Sequence, residues 1–404
     1  MAALSRFHSR FAQRPIILFS IILTIFLTYI SLTEITLQEA PNSIQWHQSL
    51  WKSARKAAHD LAQSSRAASI HSSEIPQSPL STERKNGRMN ATFVSLARDS
   101  DLPGLLQSIR DVEDRFNVHY NYDWVFLNDD DFTEEFIKVT SAFVSGRARY
   151  GRISKDQWSL PSFIDEKKAE QTRIDMKNVK YGDSASYRHM CRYQSGFFYK
   201  HPLVEEYEWY WRVEPDIKIS CDVPYDPFRW MAENGKKYGF VISLNEISAT
   251  VPSLWNTTKR FIRDFPQHVT KNNNMAFLSE DEGETTNYCH FWSNFEIANL
   301  NFFRSQAYND FFNYLDHAGG FFYERWGDAS VHSIAASLML EKGEVHYFND
   351  IGYRHSPLTN CPRDQKTFLE RRCLCDVGDN MDWSPSCTKR FFETAELPFP
   401  EGFD

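Results

Sequence analysis

"ATFVSLARDSDLPGLLQSIRDVEDRFNVHYNYDWVFLN", residues 91–128, decides the fold class of this chain. Residues 91–97 form a short run rich in β-favouring side chains, and residues 123–128 form a second such run. Between them, residues 101–116 carry apolar side chains at helical spacing, with a proline inside the first turn. A strand, a helix and a strand of this length predict a parallel pair joined by a crossover. The pattern therefore predicts an α/β fold.

The chain after this unit predicts a larger sheet with a crevice at one edge. Ligands of open α/β sheets bind beyond the carboxyl ends of the strands. Arg98 and the acidic run 129–131 follow the first two strands, so both should face that crevice. We predict further strands at 207–213 and 238–246, a helix with a glycine stop at 224–236, a buried helix at 330–340, and a strand leading into a loop at 345–355.

Composition and charge exclude two classes of protein. Hydrophobic residues make up 42% of the 404-residue chain and aromatic residues 15%, which is ample for a core and too apolar for a disordered protein. The formal net charge is -8. Because a phosphate-binding surface needs an excess of basic residues, we expect no nucleic-acid partner.

The amino terminus predicts a membrane anchor. Residues 15–32 carry no charge, and a helix of that length reaches roughly 27 Å, enough for a thin bilayer. Arginines precede the apolar run and glutamates follow it, which predicts a type II protein with its bulk in the lumen. The predicted organisation is a cytosolic tail at 1–14, the anchor at 15–32, a stem at 33–88 and a lumenal folded domain at 89–404. A cleaved signal peptide is the alternative.

The seven cysteines agree with a lumenal location, because all of them lie beyond the anchor, where disulfides are permitted. Four of them fall within residues 361–387, which predicts a stapled carboxy-terminal region. Their odd number leaves at least one thiol free or paired between chains.

The stretch "WYWRVEPDIKISCD", residues 209–222, contains the most unusual acids of the sequence. An aromatic, β-favouring run ends in Glu214-Pro215-Asp216, two carboxylates separated by a residue that cannot donate to a sheet. A rigid turn between two acids is useful when their direction matters. Both this turn and the acidic run 129–131 are candidates for holding a divalent cation through oxygen ligands.

Several long segments resemble one known family, the fungal Golgi α-mannosyltransferases of the Kre/Ktr type (glycosyltransferase family 15). The resemblance covers roughly residues 89 to 365 and is carried by "NATFVSLARDSDL", "YRHMCRYQSGFFYKHP", "YEWYWRVEPDIKISCD", "CHFWSNFEIANLNFFRS", "GGFFYERWGDASVHSIAASL" and "IGYRHSP". It implies a GT-A-like domain with a mixed, mostly parallel central sheet behind an N-terminal transmembrane helix and a stem. It also implies retaining transfer of mannose from GDP-mannose, assisted by Mn²⁺, in the Golgi membrane.

The resemblance also implies roles for individual residues. Glu214 stands at the position of the family's metal-binding acid, and His355 at that of its histidine ligand; a carboxylate, an imidazole and two diphosphate oxygens would suit Mn²⁺. Glu296 matches the family's proposed nucleophile. Asp328 and Tyr187 match residues that line the donor and acceptor pocket.

Three further residues are candidates for contacts with the donor. Arg98 and Arg188 offer charge-assisted contacts to phosphate, and Asp216 either orients its loop or binds sugar hydroxyls. The aromatic segments at 290–295 and 321–326 are candidates for stacking on sugar rings. On residue type alone, Glu296 would be a buried acid paired with Arg304 or capped by backbone amides.

The main interpretation is an α-1,2-mannosyltransferase acting on mannose-terminated glycoprotein acceptors. A glycoside hydrolase also uses paired acids and aromatic residues, but it needs no metal-bound diphosphate. A membrane-anchored lectin or an inactive paralogue would bind sugar without transferring it. The combination of Glu214, Glu296 and His355 favours the transferase over both alternatives.

Overall fold

The computed structural model describes residues 87–382 and 385–403. The predicted tail, anchor and nearly all of the stem lie outside these residues. Within the described part of the chain, no helix is long and apolar enough to cross a membrane.

Twelve strands and fourteen α-helices make up the described fold. The strands are β1 Ala91–Leu96, β2 Asp123–Asn128, β3 Ala148–Arg152, β4 Trp209–Arg212, β5 Ile217–Ile219, β6 Tyr238–Phe240, β7 Ser243–Asn245, β8 Cys289–Phe291, β9 Glu296–Asn299, β10 Val345–Tyr347, β11 Tyr353–His355 and β12 Leu358–Asn360. The helices are α1 Leu102–Arg115, α2 Glu134–Phe143, α3 Glu166–Asp175, α4 Ala185–Gly196, α5 Pro202–Glu205, α6 Pro227–Glu233, α7 Leu254–Asp264, α8 Met275–Leu278, α9 Leu300–Arg304, α10 Gln306–Ala318, α11 Gly320–Tyr323, α12 Asp328–Met339, α13 Gln365–Glu370 and α14 Thr388–Ala395.

The central sheet has seven strands in the order β10-β6-β9-β4-β1-β2-β3. Every neighbouring pair is parallel except those of β9, which runs antiparallel to both β4 and β6. The predicted β1–α1–β2 unit is confirmed, with Val94 opposite Val125 in a parallel register. The sheet is therefore mixed and mostly parallel, as predicted.

Two predicted strands are each divided in the structure. The run 238–246 forms β6 in the central sheet and then β7, which pairs with β8 in a separate two-stranded sheet. The run 345–355 forms β10 and, after a turn, β11, which lies between β5 and β12 in a three-stranded sheet. The end of this run was predicted to be a loop, and that prediction was wrong. Alternation within a run does not reveal where the chain changes its pairing partner.

The disulfides tie the carboxy-terminal region to the fold. Cys221–Cys373 and Cys289–Cys387 connect this region to earlier segments, and Cys361–Cys375 closes a local loop. Cys191 is buried with a free thiol, which accounts for the odd cysteine count. The predicted stapling is confirmed.

Candidate active site

A cleft of about 270 Å³ opens beyond the carboxyl ends of β1, β2 and β4. Arg98 follows β1, Asp129 follows β2 and Glu214 follows β4, and all three line the cleft. Tyr187 on α4 and Trp158 form part of its wall. This is the edge of the sheet at which the sequence predicted a crevice.

Glu214 is held by an arginine at the end of the buried strand β4. Arg212 donates from Nε to Glu214 Oε1 at 2.6 Å and from Nη1 to Asp328 Oδ2 at 2.6 Å. Ser293 donates to the same Asp328 oxygen at 2.7 Å. Burial disfavours the Asp328 carboxylate, but Arg212, His332 and Ser293 together outweigh it and lower the pKa of Asp328. Arg212 thus links two predicted site acids.

Arg212 was not among the site residues predicted from the sequence. The signal for it was present, because an arginine inside the apolar run "WYWRV" needs a buried partner.

The Glu214-Pro215-Asp216 turn carries the chain out of the central sheet and into β5. Asp216 has φ +63°, in the left-handed region, and its backbone N–H donates to the Gly104 carbonyl at 3.2 Å. A Cβ on Gly104 would lie 2.2 Å from the Asp216 carboxylate, so a larger residue there would force the Asp216 side chain to move. The turn therefore packs against the first turn of α1 through Asp216.

His355 comes to the same turn through a strand pairing. In the antiparallel pair of β5 and β11, His355 lies opposite Ile217. Its ring stacks on Trp292, with centroids 5.5 Å apart. Burial lowers the pKa of His355, although Glu214 and Asp216 act in the opposite direction. His355 is therefore neutral near pH 7, which is the form that binds metal ions.

The carboxylate of Glu214 and the imidazole of His355 are ligand types that suit a divalent cation bound together with a substrate. The Nδ1 atom of His355 is buried and makes no hydrogen bond to the described residues. No cluster of three or more His, Cys, Asp or Glu side chains in the described ranges is arranged as a complete metal site. Glu214 and His355 could thus supply two ligands of a cation, and a bound diphosphate would have to supply others.

Glu296 lies at the start of β9 and is completely buried. Tyr238 and His332 both contact its Oε2 atom, at 2.5 and 2.8 Å, and no described residue hydrogen-bonds Oε1. Arg304 instead donates to the carbonyls of Tyr199, Val204 and Tyr207, so the Arg304 pairing considered from sequence is wrong.

The two predicted phosphate-binding arginines occupy different environments. Arg98 is exposed in the cleft, and its guanidinium contacts the Ser186 hydroxyl. Arg188 is buried and donates to the carbonyls of Ser184 and Glu324 at 3.1 and 3.0 Å, and burial lowers its pKa to about 10. This packing favours a structural role for Arg188.

The aromatic wall of the cleft differs from the one suggested by sequence. Tyr187 is half-buried, stacks on Tyr181 at 4.5 Å, and has its pKa raised by burial. The segments 290–295 and 321–326 mostly supply core residues, since their phenylalanines are buried.

The acidic run 129–131 is divided between two environments. Asp130 and Asp131 pair with Arg152, whereas Asp129 lines the cleft.

Two solved structures similar to this fold were determined with GDP. Core-mannan synthase A from Aspergillus fumigatus, crystallised in a Mn/GDP form, is 38% identical with a TM-score of 0.73, over 81% of this chain and 93% of that chain. The mannosyltransferase Ktr4p from S. cerevisiae in complex with GDP is 33% identical with a TM-score of 0.73, over 87% and 93%.

The chain belongs to the glycolipid 2-alpha-mannosyltransferase family, whose profile matches residues 45–396. Glycolipid 2-alpha-mannosyltransferase 2 of Candida albicans is 56% identical over 79% of this chain and 70% of its own length. Alpha-1,2 mannosyltransferase KTR1 of Saccharomyces cerevisiae is 56% identical over 78% of this chain and 81% of its own length. The family resemblance seen in the sequence motifs is confirmed.

Proposed function

We propose that this chain transfers mannose from GDP-mannose to a mannose-terminated acceptor and forms an α-1,2 linkage with retention of configuration. The observation that carries the proposal is the cleft at the sheet edge, which Glu214 lines, with the neutral His355 on the strand paired to β5 and close enough to Glu214 and Asp216 for both to act on its pKa. Family membership and the GDP-bound structures of similar proteins support the choice of donor.

Glu214 and His355 would hold Mn²⁺, and Arg98, which lines the same cleft as Glu214, would contact phosphate. The bound cation would neutralise charge that develops on the departing diphosphate. Arg212 keeps the Glu214 carboxylate in place through Oε1. Tyr187, Trp158 and Asp129 would line the donor and acceptor pocket, with Asp216 orienting the turn.

Glu296 would act on the anomeric carbon. Retention requires either a covalent intermediate on a carboxylate or a front-face route that a nearby carboxylate stabilises. Glu296 is completely buried and does not line the cleft, but its Oε1 atom has no hydrogen bond to the described residues, which leaves that atom for either role. Asp328 would support the site through Arg212.

The acceptor would be a mannosylated glycoprotein, reached in the Golgi lumen. The uncharged run 15–32, preceded by arginines, would anchor the chain as a type II protein, and the three disulfides fit an oxidising compartment. No nucleic-acid partner is proposed.

The experiment is an incubation of the purified chain with GDP-mannose, methyl α-mannoside and Mn²⁺, with and without chelator, followed by mass spectrometry. A disaccharide that is absent with chelator would support the proposal. Free mannose as the sole product would indicate a hydrolase. Binding of GDP-mannose without turnover would indicate a lectin or an inactive paralogue.

A further inference from the structure

A buried hydrogen-bonded network surrounds the second oxygen of Glu296. Tyr238 Oη donates to Glu296 Oε2 at 2.5 Å, and His332 Nδ1 contacts the same atom at 2.8 Å. His332 Nε2 lies 3.1 Å from the Gln194 carbonyl oxygen. Glu296 and His332 are both completely buried, and Tyr238 is as well. Every contact of Glu296 within this network is made to Oε2.

The partners of His332 decide how its protons are placed. The Gln194 carbonyl can only accept, so Nε2 must carry a hydrogen. The other ring nitrogen faces a carboxylate oxygen, so one further proton lies between Nδ1 and Oε2. Tyr238 also donates to Oε2, because burial raises the pKa of its hydroxyl and keeps it protonated. Two donors on one oxygen favour the ionised carboxylate and the imidazolium.

The electrostatics of His332 agree with this assignment of protons, whereas burial works against the Glu296 carboxylate. Burial disfavours the imidazolium, yet the pKa of His332 is raised because Glu296 and Asp328 together outweigh the burial. Burial raises the pKa of Glu296, and His332 counteracts this shift, so the ionised carboxylate depends on the imidazolium beside it. The other groups that act on the pair are Asp328 and Arg212, which are themselves paired, and the neutral hydroxyl of Tyr308.

We infer that His332 and Tyr238 are positioning residues that fix Glu296 through Oε2, keep it ionised, and leave Oε1 available to the reacting sugar. The inference rests on the proposed function of Glu296. A carboxylate that must approach a carbon atom needs one oxygen without a competing donor, and it needs the other oxygen fixed. His332 and Tyr238 hold Oε2 in place, and Oε1 has no hydrogen-bond donor among the described residues.

Two substitutions of His332 distinguish the effect of its contact with Glu296 from the effect of the volume that its ring fills. The amide nitrogen of asparagine can replace Nδ1, and that of glutamine can replace Nε2. His332→Gln should therefore lose the contact to Glu296 and lower kcat about 100-fold, the cost of a small misplacement of a catalytic group. His332→Asn should retain the contact and recover part of that loss. In both variants the KM for GDP-mannose should stay unchanged.

Tyr238→Phe removes the second donor, and Tyr308→Phe is its matched control. The Tyr308 hydroxyl is buried in the same core but donates to the Ser195 carbonyl at 2.8 Å. Tyr238→Phe should lower kcat about tenfold, since hydrogen bonds to charged groups are among the stronger ones. Tyr308→Phe should leave kcat near that of the unmodified chain. Equal losses in both variants would overturn the inference for Tyr238.

The pH profile distinguishes positioning from a purely structural role. Removing the imidazolium raises the pKa of Glu296, so the acid limb of kcat should move to higher pH in both His332 variants. Tyr308→Phe should not move it. A variant that merely folded less well would lose active sites equally at every pH, and an unshifted limb would contradict the inference. GDP-binding stoichiometry counts the folded sites.

Nitrogen NMR of the full-length chain labelled with ¹⁵N-histidine gives a readout that needs no turnover. Both ring nitrogens of His332 should be protonated near pH 7, and one should lose its proton in Glu296→Gln. A neutral ring in the unmodified chain would overturn the inference. If His332 is charged but no mannose is transferred, the proposed function fails and the buried pair stands. If transfer is normal and the His332 variants match the unmodified chain, the inference alone fails.

Discussion

At the residue scale, the Glu214 carboxylate contacts the buried Arg212 and also lines the cleft. Because Arg212 takes Oε1, the carboxylate is fixed before any ligand arrives. The acid and His355 were identified from the family motifs, whereas Arg212 and His332 were missed. His332 lies four residues after Asp328 on α12, a spacing that places both on one helix face. Sequence spacing alone could not reveal that this face meets Glu296.

Glu214→Gln should remove the charge of the proposed metal ligand and keep an acceptor for Arg212. We expect Mn²⁺-dependent GDP affinity, measured by calorimetry, to fall at least about 100-fold, more than the loss of an outer contact typically costs. Asp101→Asn is the control, because Asp101 lines the same cleft but accepts a hydrogen bond from the Arg98 backbone N–H at 2.8 Å. Unchanged affinity in Glu214→Gln would remove this residue from the metal site.

Glu296→Gln should leave GDP-mannose binding intact and reduce kcat by more than about 10³-fold, beyond the usual cost of a lost electrostatic contact. The amide is nearly the same size and can still accept from Tyr238, but it cannot attack a carbon. Single-turnover kinetics would measure the loss. A smaller reduction would favour the front-face route, with Glu296 as an electrostatic aid.

At the scale of elements, the pairing of β5 with β11 brings together the two residues of the proposed metal site, Glu214 and His355, from segments far apart in the chain. The sequence predicted the strands within residues 207–213 and 238–246 but not the pairing of β5 with β11. A three-residue strand has too little pattern to specify its partner. Cys221–Cys373 lies just beyond β5 and fixes the carboxy-terminal region beside it.

Removing that disulfide should affect the site as well as the stability. Cys221→Ser with Cys373→Ser should lower the free energy of unfolding by about 2–4 kcal/mol. It should also weaken Mn²⁺-dependent GDP binding about tenfold, because loosening of β5 would displace its partner strand β11 and thus His355. Cys289→Ser with Cys387→Ser is the matched control, since that bridge joins β8 to the start of α14. It should cost similar stability and leave GDP binding unchanged. Equal loss of binding in both would contradict this role of β5.

At the scale of the whole molecule, the described fold contains the cleft, the Glu214-Pro215-Asp216 turn and three disulfides. The α/β class, the first parallel unit and the mixed sheet could be predicted because long apolar runs at clear periods specify them. The internal partners of Arg212, Glu296 and Arg188 could not, since they depend on contacts between distant segments.

A chain lacking residues 1–86 should remain in solution without detergent and keep the kcat of the full chain. The physical reason is that every residue assigned to the site lies within the described part. Thermal unfolding and the transfer assay would check this. A folded but inactive product would show that the stem contributes to the site.

The most direct test of the account is proton NMR of the transfer reaction, followed in time, with GDP-mannose, methyl α-mannoside and Mn²⁺. We predict that the first new anomeric signal belongs to an α-linked mannose on the 2-hydroxyl, and that chelator abolishes it. A β-linked first product would contradict retention and the role of Glu296. Undiminished transfer with chelator present would contradict the metal site of Glu214 and His355.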